Sequence, residues 1–145
     1  MSFNSKYMKH KFAGIILAAG KGTRMKSEIP KVMHPICGRP MLAYVLDLAE
    51  TLKLERTIVI TGHGRELLRG ILAEYQAESV YQDRLVGTAD AVRRTESALK
   101  GFSGNLLILY GDQPLLKAAT LKKLIQRHIS SLASATILTA CMDNP

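Results

Sequence analysis

Three apolar runs, each cut off by glycine, constrain the fold of this chain more than any other feature. Ala13 to Ala18 stops before Gly20, the β-branched Thr57 to Thr61 (TIVIT) stops at Gly62, and Asn105 to Tyr110 (NLLILY) stops at Gly111-Asp112. Short continuous apolar runs bounded by turn residues read as buried strands. Between them the hydrophobic period changes to that of helices. Leu42, Val45, Leu46, Ala49 and Leu52 share one face over Met41 to Leu52, after Pro40. Leu67, Leu68, Ile71, Leu72 and Tyr75 repeat that spacing, and Ala91, Val92, Thr95 and Leu99 mark a third helix. A fourth carries Leu121, Leu124, Ile125, Ile129 and Leu132. Ser79 to Gln82 can form a short strand, and Ala135 to Cys141 (ATILTAC) reads as a last one. Such alternation predicts an α/β fold, a doubly wound and mostly parallel sheet with right-handed crossovers, whose ligands sit outside the carboxyl ends of the strands.

Length and composition narrow the class. At 145 residues, 47% hydrophobic and 22% charged, the chain suits one globular core, expected over 13–145 behind a basic N-terminal extension, 1–12. No apolar run approaches the roughly 18 to 20 residues that span a bilayer, and no signal-peptide pattern stands at the N-terminus, so a cytoplasmic protein without membrane attachment is expected. Cys37 and Cys141 have no metal-ligand spacing and read as reduced thiols. The net charge of +8 suits anionic partners. Seven of the 20 Lys and Arg lie at Lys9, Lys11 and from Lys21 to Arg39, around the first glycine loop. With no Trp and 3 Phe there is no stacking platform for nucleic acid, which is not expected as a partner.

The loop LAAGKGTRMKSEIPK, Leu17 to Lys31, has the look of a phosphate cradle leaving a strand. It is not a P-loop, because position 15, where the first glycine belongs, is Ile15, and Gly22 follows Lys21. Nor is it a dinucleotide loop, which would require glycine at Met25 and an acidic residue where Gly62 ends the second strand. What remains is a turn in which Ala18 and Ala19 admit close backbone approach and Gly20 and Gly22 permit tight turning. Arg24 and Lys31 add two cations of different character, the first a planar fork and the second a movable point charge.

The string LAAGKGTRMKSEIPKVMHPICGRPML resembles the signature of the sugar-nucleotide pyrophosphorylases, and PKVMHPICGRPML is similar to the bacterial N-acetylglucosamine-1-phosphate uridyltransferases among them. Two further segments carry the resemblance, YQDRLVGTADAV and YGDQPLL, so that the motifs cover about 13 to 116. The resemblance implies a Rossmann-like nucleotidyltransferase domain that transfers UMP from UTP to N-acetylglucosamine 1-phosphate, giving UDP-N-acetylglucosamine and pyrophosphate without a covalent intermediate. It implies catalytic roles for Arg24, toward the leaving pyrophosphate, and Lys31, toward the α-phosphate. Nucleotide contacts would come from Leu17, Ala18, Ala19, Gly20, Gly22, Thr23 and Lys31, uracil contacts from Gln82, Gly87 and Thr88, and further contacts from Tyr110 and Gly111. Asp112 would hold Mg2+.

Several residues depart from that pattern. Gln113 stands where the uridyltransferases commonly have an aliphatic residue, and GDQP also occurs in molybdenum-cofactor nucleotidyltransferases, which leaves another acceptor, or a non-catalytic nucleotide-binding module, as alternatives. Asp90 replaces a frequent histidine and Leu85 a common glutamine. His34 is expected to orient the loop, and His63 and His128 to be structural. The resemblance also implies that this chain is the nucleotide-binding half of its domain, with the acceptor half and a C-terminal β-helix lying beyond the Asp143-Asn144-Pro145 ending. A last strand over 135–141 would then expose an apolar edge, calling for a homo-oligomer or a complementing C-terminal half and leaving weak or no turnover.

Overall fold

A computed structural model describes residues 10–20 and 22–141; the basic extension up to residue 9, Lys21 and the Asp143-Asn144-Pro145 ending lie outside the described residues. In chain order the elements are β1 (Phe12–Leu17), the short strands β2 (Pro35–Ile36) and β3 (Arg39–Pro40), α1 (Met41–Thr51), β4 (Arg56–Thr61), α2 (Arg69–Glu74), β5 (Glu78–Tyr81), α3 (Thr88–Arg93), β6 (Asn105–Tyr110) and α4 (Ala118–Ser130). The main sheet is parallel, in the order β5-β4-β1-β6. This is the Rossmann-like arrangement expected from the alternation.

β1 lies inside the sheet because it carries no side chain that needs water. Ala13, Ile15 and Ile16 are 0% exposed, and the strand is paired on both edges, Leu17 lying level with Ile60 of β4 and Tyr110 of β6. Its two faces feed separate cores. Ile16, with Val59, Leu107 and Leu109 of the neighbouring strands, packs against Leu42, Val45 and Leu46 of α1, Leu72 of α2 and Leu121 and Ile125 of α4. Ile15 and Ile60 meet Ala91 of α3, with Leu17, Val92 and Leu99 beside them, on the other face. Each fully buried aliphatic side chain of this kind contributes about 1.5–3 kcal/mol.

Three expectations are corrected. The run 135–141 forms no strand: Thr136 instead shares a hydrogen bond with His128 Nδ1 on α4 (2.9 Å), and the segment lines a groove beside β6 without sheet pairing. The half-exposed apolar surface is instead one face of the edge strand β6, where Leu106, Ile108 and Tyr110 are 44%, 46% and 45% exposed while the alternate Leu107 and Leu109 are buried. The third helix ends at Arg93 rather than reaching Leu99. Thr95, 1% exposed, turns its hydroxyl back to the Val92 carbonyl (2.7 Å), and its own N–H bonds the same carbonyl, which tightens the chain into turns. Finally, the β2–β3 hairpin was not expected. Cys37 and Gly38, at φ 49° and 79°, form its two-residue turn.

His128 is structural as expected, its Nε2 sharing a hydrogen bond with Asn105 Oδ1 (3.2 Å) at the start of β6. Both cysteines are free thiols.

Candidate functional site

The chain runs from β1 outward to β4 and β5, then crosses back to β6 on the opposite side of β1. The sheet order reverses there, and the carboxyl ends of β1 and β6 meet at the point where sheets of this kind bind their ligands. Backbone bonds clamp the β1 exit from both sides, Ala18 N–H donating to the Ile60 carbonyl (2.9 Å) and Gly111 N–H to the Leu17 carbonyl (3.0 Å). The loop then folds down tightly. A Cβ on Gly62, at the end of β4, would lie 2.5 Å from the Ala19 carbonyl oxygen. Gly22 sits in the left-handed region at φ 60°, and a Cβ there would lie 2.7 Å from Lys31 Cβ. These two absent side chains let the glycine loop and Lys31 lie close to the sheet end.

The decisive contact joins residues 81 apart in sequence. Lys31 Nζ donates to Asp112 Oδ2 at 2.5 Å, with the two side chains 35% and 30% exposed. Lys31 heads a short 3-10 turn, Lys31–Met33, held by the bond from His34 N–H to its carbonyl, and buried Val32 anchors that turn in the core. The His34 side chain is not seen to orient the loop: its Nε2 is buried with no hydrogen-bond partner among the described residues. Asp112 directly follows β6 and Gly111. Arg24 lies on the 3-10 turn Thr23–Met25, exposed to solvent and without an ion-pair partner among the described residues.

The remaining expected residues lie at the ends of β1 and β6, or two strands from β1, after β5. Leu17, Ala18 and Ala19 form the β1 exit, with Ala18 and Ala19 4% and 8% exposed. Gly20 and Thr23 are exposed, and no described residue lies within 4 Å of the position a Cβ on Gly20 would take. Tyr110 extends from the uncovered face of β6. Gln82 follows β5, 4% exposed, its N–H bound to the Thr61 carbonyl (2.8 Å). Gly87 precedes α3 and Thr88 begins it, both exposed. Ala91 of the same helix packs with Ala19 and Ile15, bringing this segment to the β1 exit.

A divalent cation fits this end of the sheet on the chemistry of its donors. A positive charge already rests against the Asp112 carboxylate, in the form of the Lys31 ammonium. Among the described residues no group of three or more His, Cys, Asp or Glu gathers into a metal cage. One carboxylate, with phosphate oxygens and water completing the shell, is the usual environment of Mg2+ on nucleotides.

One network was not legible in the sequence. Arg39 of β3 donates to both carboxylate oxygens of Asp47 (3.0 and 3.3 Å) and to the Tyr75 hydroxyl (3.0 Å), and that hydroxyl donates to Asp47 Oδ1 (2.5 Å). It ties the hairpin after Lys31 to α1 and to the end of α2. Its members come from three segments, and no spacing rule links them. Burial and the hydrogen bond to Asp47 push the Tyr75 phenol up from 10.0 to about 12. Burial also pushes the Asp47 carboxyl up, but hydrogen bonds from Arg39 and Tyr75 outweigh it and hold the group below its usual range.

A raised Tyr75 pKa favours the protonated phenol in the folded state, so its contribution is complete below pH 10 and is lost as pH climbs toward 12. Asp47 acts at the other end of the scale, contributing above its unfolded value of 3.8 and losing that contribution as pH falls. Tyr75→Phe is therefore expected to be less stable than the parent chain at pH 8, with the difference vanishing as pH approaches 12; urea titrations across that range check it.

A family model described as the MobA-like NTP transferase domain matches residues 14–142. The chain belongs to this family. Its similarity to curated relatives is close: 44% identity over 134 residues to the bifunctional protein GlmU of Desulfitobacterium hafniense strain Y51, covering 92% of this chain and 29% of that protein. The GlmU of Shouchella clausii is 46% identical over 138 residues, covering 95% of this chain and 30% of the relative. The chain thus spans less than a third of the length of these relatives. Among solved structures, Rv0371c of Mycobacterium tuberculosis superposes with a TM-score of 0.71 at 24% identity, covering 83% of this chain and 62% of that one. A UDP-glucose pyrophosphorylase complexed with UDP-glucose gives 0.66 at 21% identity, covering 84% and 55%. Both share the NTP transferase fold described above. No helix among the described residues is long and apolar enough to cross a membrane.

Proposed function

We propose that this chain carries the nucleotide-binding machinery of a uridylyltransferase, which transfers UMP from UTP to N-acetylglucosamine 1-phosphate and releases pyrophosphate. The observation that carries the reading is the Lys31–Asp112 pair at the switch point of the sheet. It brings together the cation and the carboxylate that phosphoryl transfer needs. Identity of 44–46% to GlmU proteins supports the sugar phosphate as acceptor.

In this reading an oxygen of the sugar 1-phosphate attacks the α-phosphorus of UTP, and the bond to the pyrophosphate oxygen breaks. Lys31 faces the α-phosphate, where charge concentrates during attack, and Arg24 spreads its guanidinium over the departing pyrophosphate. Asp112 holds Mg2+, which when bound neutralises phosphate charge. Leu17 to Gly20, Gly22, Thr23, Tyr110 and Gly111 line the nucleotide, and Gln82, Gly87 and Thr88 face the uracil. Catalysis is then positioning and charge neutralisation, consistent with the lack of any need for a nucleophilic side chain. A cytoplasmic location follows from such substrates.

A second acceptor class keeps support from Gln113, in a GDQP element, and from the breadth of the matched family. Labelled pyrophosphate exchange into UTP, CTP and GTP, with and without N-acetylglucosamine 1-phosphate, separates the readings. The expected result is exchange with UTP alone and only when the sugar phosphate is present; exchange with CTP or GTP overturns the assignment.

A further inference from the structure

Gln82 is an amide whose two ends are told apart by its neighbours. Its side chain has one donating end, Nε2, and one accepting end, Oε1. One end lies 3.4 Å from the Gly87 carbonyl and 3.2 Å from Asp90 Oδ2. Both of those groups are acceptors, so the Nε2 end must face them. The amide oxygen, Oε1, is thereby turned away from Asp90 and α3.

Asp90 is itself held firmly. Its carboxylate, 14% exposed, accepts from Arg94 Nε (2.8 Å) and Arg93 (3.2 Å), and Arg94 also reaches Asp83 (2.6 Å) just after Gln82. Hydrogen bonds from Arg94, and then from Gln82, hold the Asp90 carboxyl below its ordinary range, so it is ionised and cannot donate at neutral pH. Asp90 is also the position where the sequence departs from the histidine frequent in the uridyltransferases. A histidine could face the amide either as donor or as acceptor, whereas a carboxylate leaves the amide one orientation.

We infer that Asp90 is a specificity-positioning residue, which locks the Gln82 amide with its oxygen toward the nucleobase and so selects bases that present an N–H there. The inference rests on the proposed role of Gln82 at the base. Uracil offers its N3–H to such an oxygen. Cytosine places an N3 lone pair at the same point, which sets two acceptors against each other and leaves both unsatisfied. With the amide nearly buried, water has little access to relieve that mismatch.

The test is the ratio of UTP to CTP affinity, measured by calorimetry in the presence of Mn2+. The parent chain is expected to prefer UTP by roughly 50-fold or more, the scale of an unmatched polar pair in a closed site. Asp90→Asn keeps the volume but can donate to Gln82, freeing the amide to turn, and is expected to lower the ratio at least tenfold, mainly by tighter CTP binding. Arg93→Ala removes a neighbour of Asp90 without touching the amide and is expected to keep the ratio, and circular dichroism checks that both variants are folded. A ratio unchanged in Asp90→Asn, together with loss of UTP affinity in Gln82→Ala, overturns the role of Asp90 alone. UTP affinity unchanged in Gln82→Ala overturns the base-facing role of Gln82 and with it this inference.

Discussion

Replacing Lys31 by Met is expected to tighten binding of Mn2+ about tenfold in the absence of nucleotide, and replacing Asp112 by Ala to weaken it at least about 100-fold. The opposite signs follow from one geometry. Lys31 and Asp112 are in contact at 2.5 Å in a site where each is about one-third exposed. A cation arriving at the carboxylate must displace the ammonium, so the free energy of that ion pair opposes metal binding; a tenfold effect corresponds to about 1.4 kcal/mol, within the range for a partly buried pair. With UTP present the sign for Lys31→Met reverses. The displaced ammonium then has a phosphate to bind, and its loss is expected to weaken Mn2+-dependent UTP binding by roughly tenfold or more. Titration of Mn2+ by electron paramagnetic resonance, with and without UTP, reads both effects. Tighter Mn2+ binding in both conditions for Lys31→Met would remove Lys31 from the phosphate site, and undiminished binding in Asp112→Ala would remove Asp112 from the metal site.

The largest effect on stability is expected at Gly62. An alanine Cβ there would stand 2.5 Å from the Ala19 carbonyl oxygen and 3.1 Å from Ala19 Cα, both backbone atoms of the β1 exit. Neither can swing aside as a flexible side chain would, and Ala18 beside them is tied to Ile60 by a backbone hydrogen bond. Separating these segments costs about 3 kcal/mol, which lowers the melting temperature by roughly 10 °C for a domain of this size. Gly20→Ala is the control: nothing among the described residues lies within 4 Å of its Cβ position, so stability should change by less than about 0.5 kcal/mol. Thermal melts of the two variants check the contrast, and equal melting temperatures would refute the packing role of Gly62.

Much of the fold was legible because buried parallel strands leave a strong trace. A run such as NLLILY carries the apolar letters of a strand in a helix-covered sheet, and the observed β6 has the boundaries read from the sequence, although only its Leu107 and Leu109 face is buried. The runs ending at Gly20 and Gly62 are likewise β1, shifted by one residue, and β4, one residue longer at its start. Where the reading failed, a local pattern competed with a longer-range partner. ATILTAC has strand composition, yet a strand exists only with a ladder partner, and Thr136 is instead held by His128. The helix expected to reach Leu99 is cut short when the Thr95 hydroxyl takes the Val92 carbonyl.

For the site, the sequence by itself determined which residue types end each strand: small residues and cations after β1, a glutamine after β5, an aspartate after β6. Chemistry at strand ends is written locally, in a few consecutive letters. Only the tertiary structure decided that Lys31 meets Asp112 across 81 residues, that Gly62 makes room for Ala19, and that Asp90 fixes the direction of the Gln82 amide. These depend on strand order and on the rotation of side chains about single bonds. No periodicity encodes either, because the crossover that returns the chain to β6 creates contacts between segments that are independent in sequence.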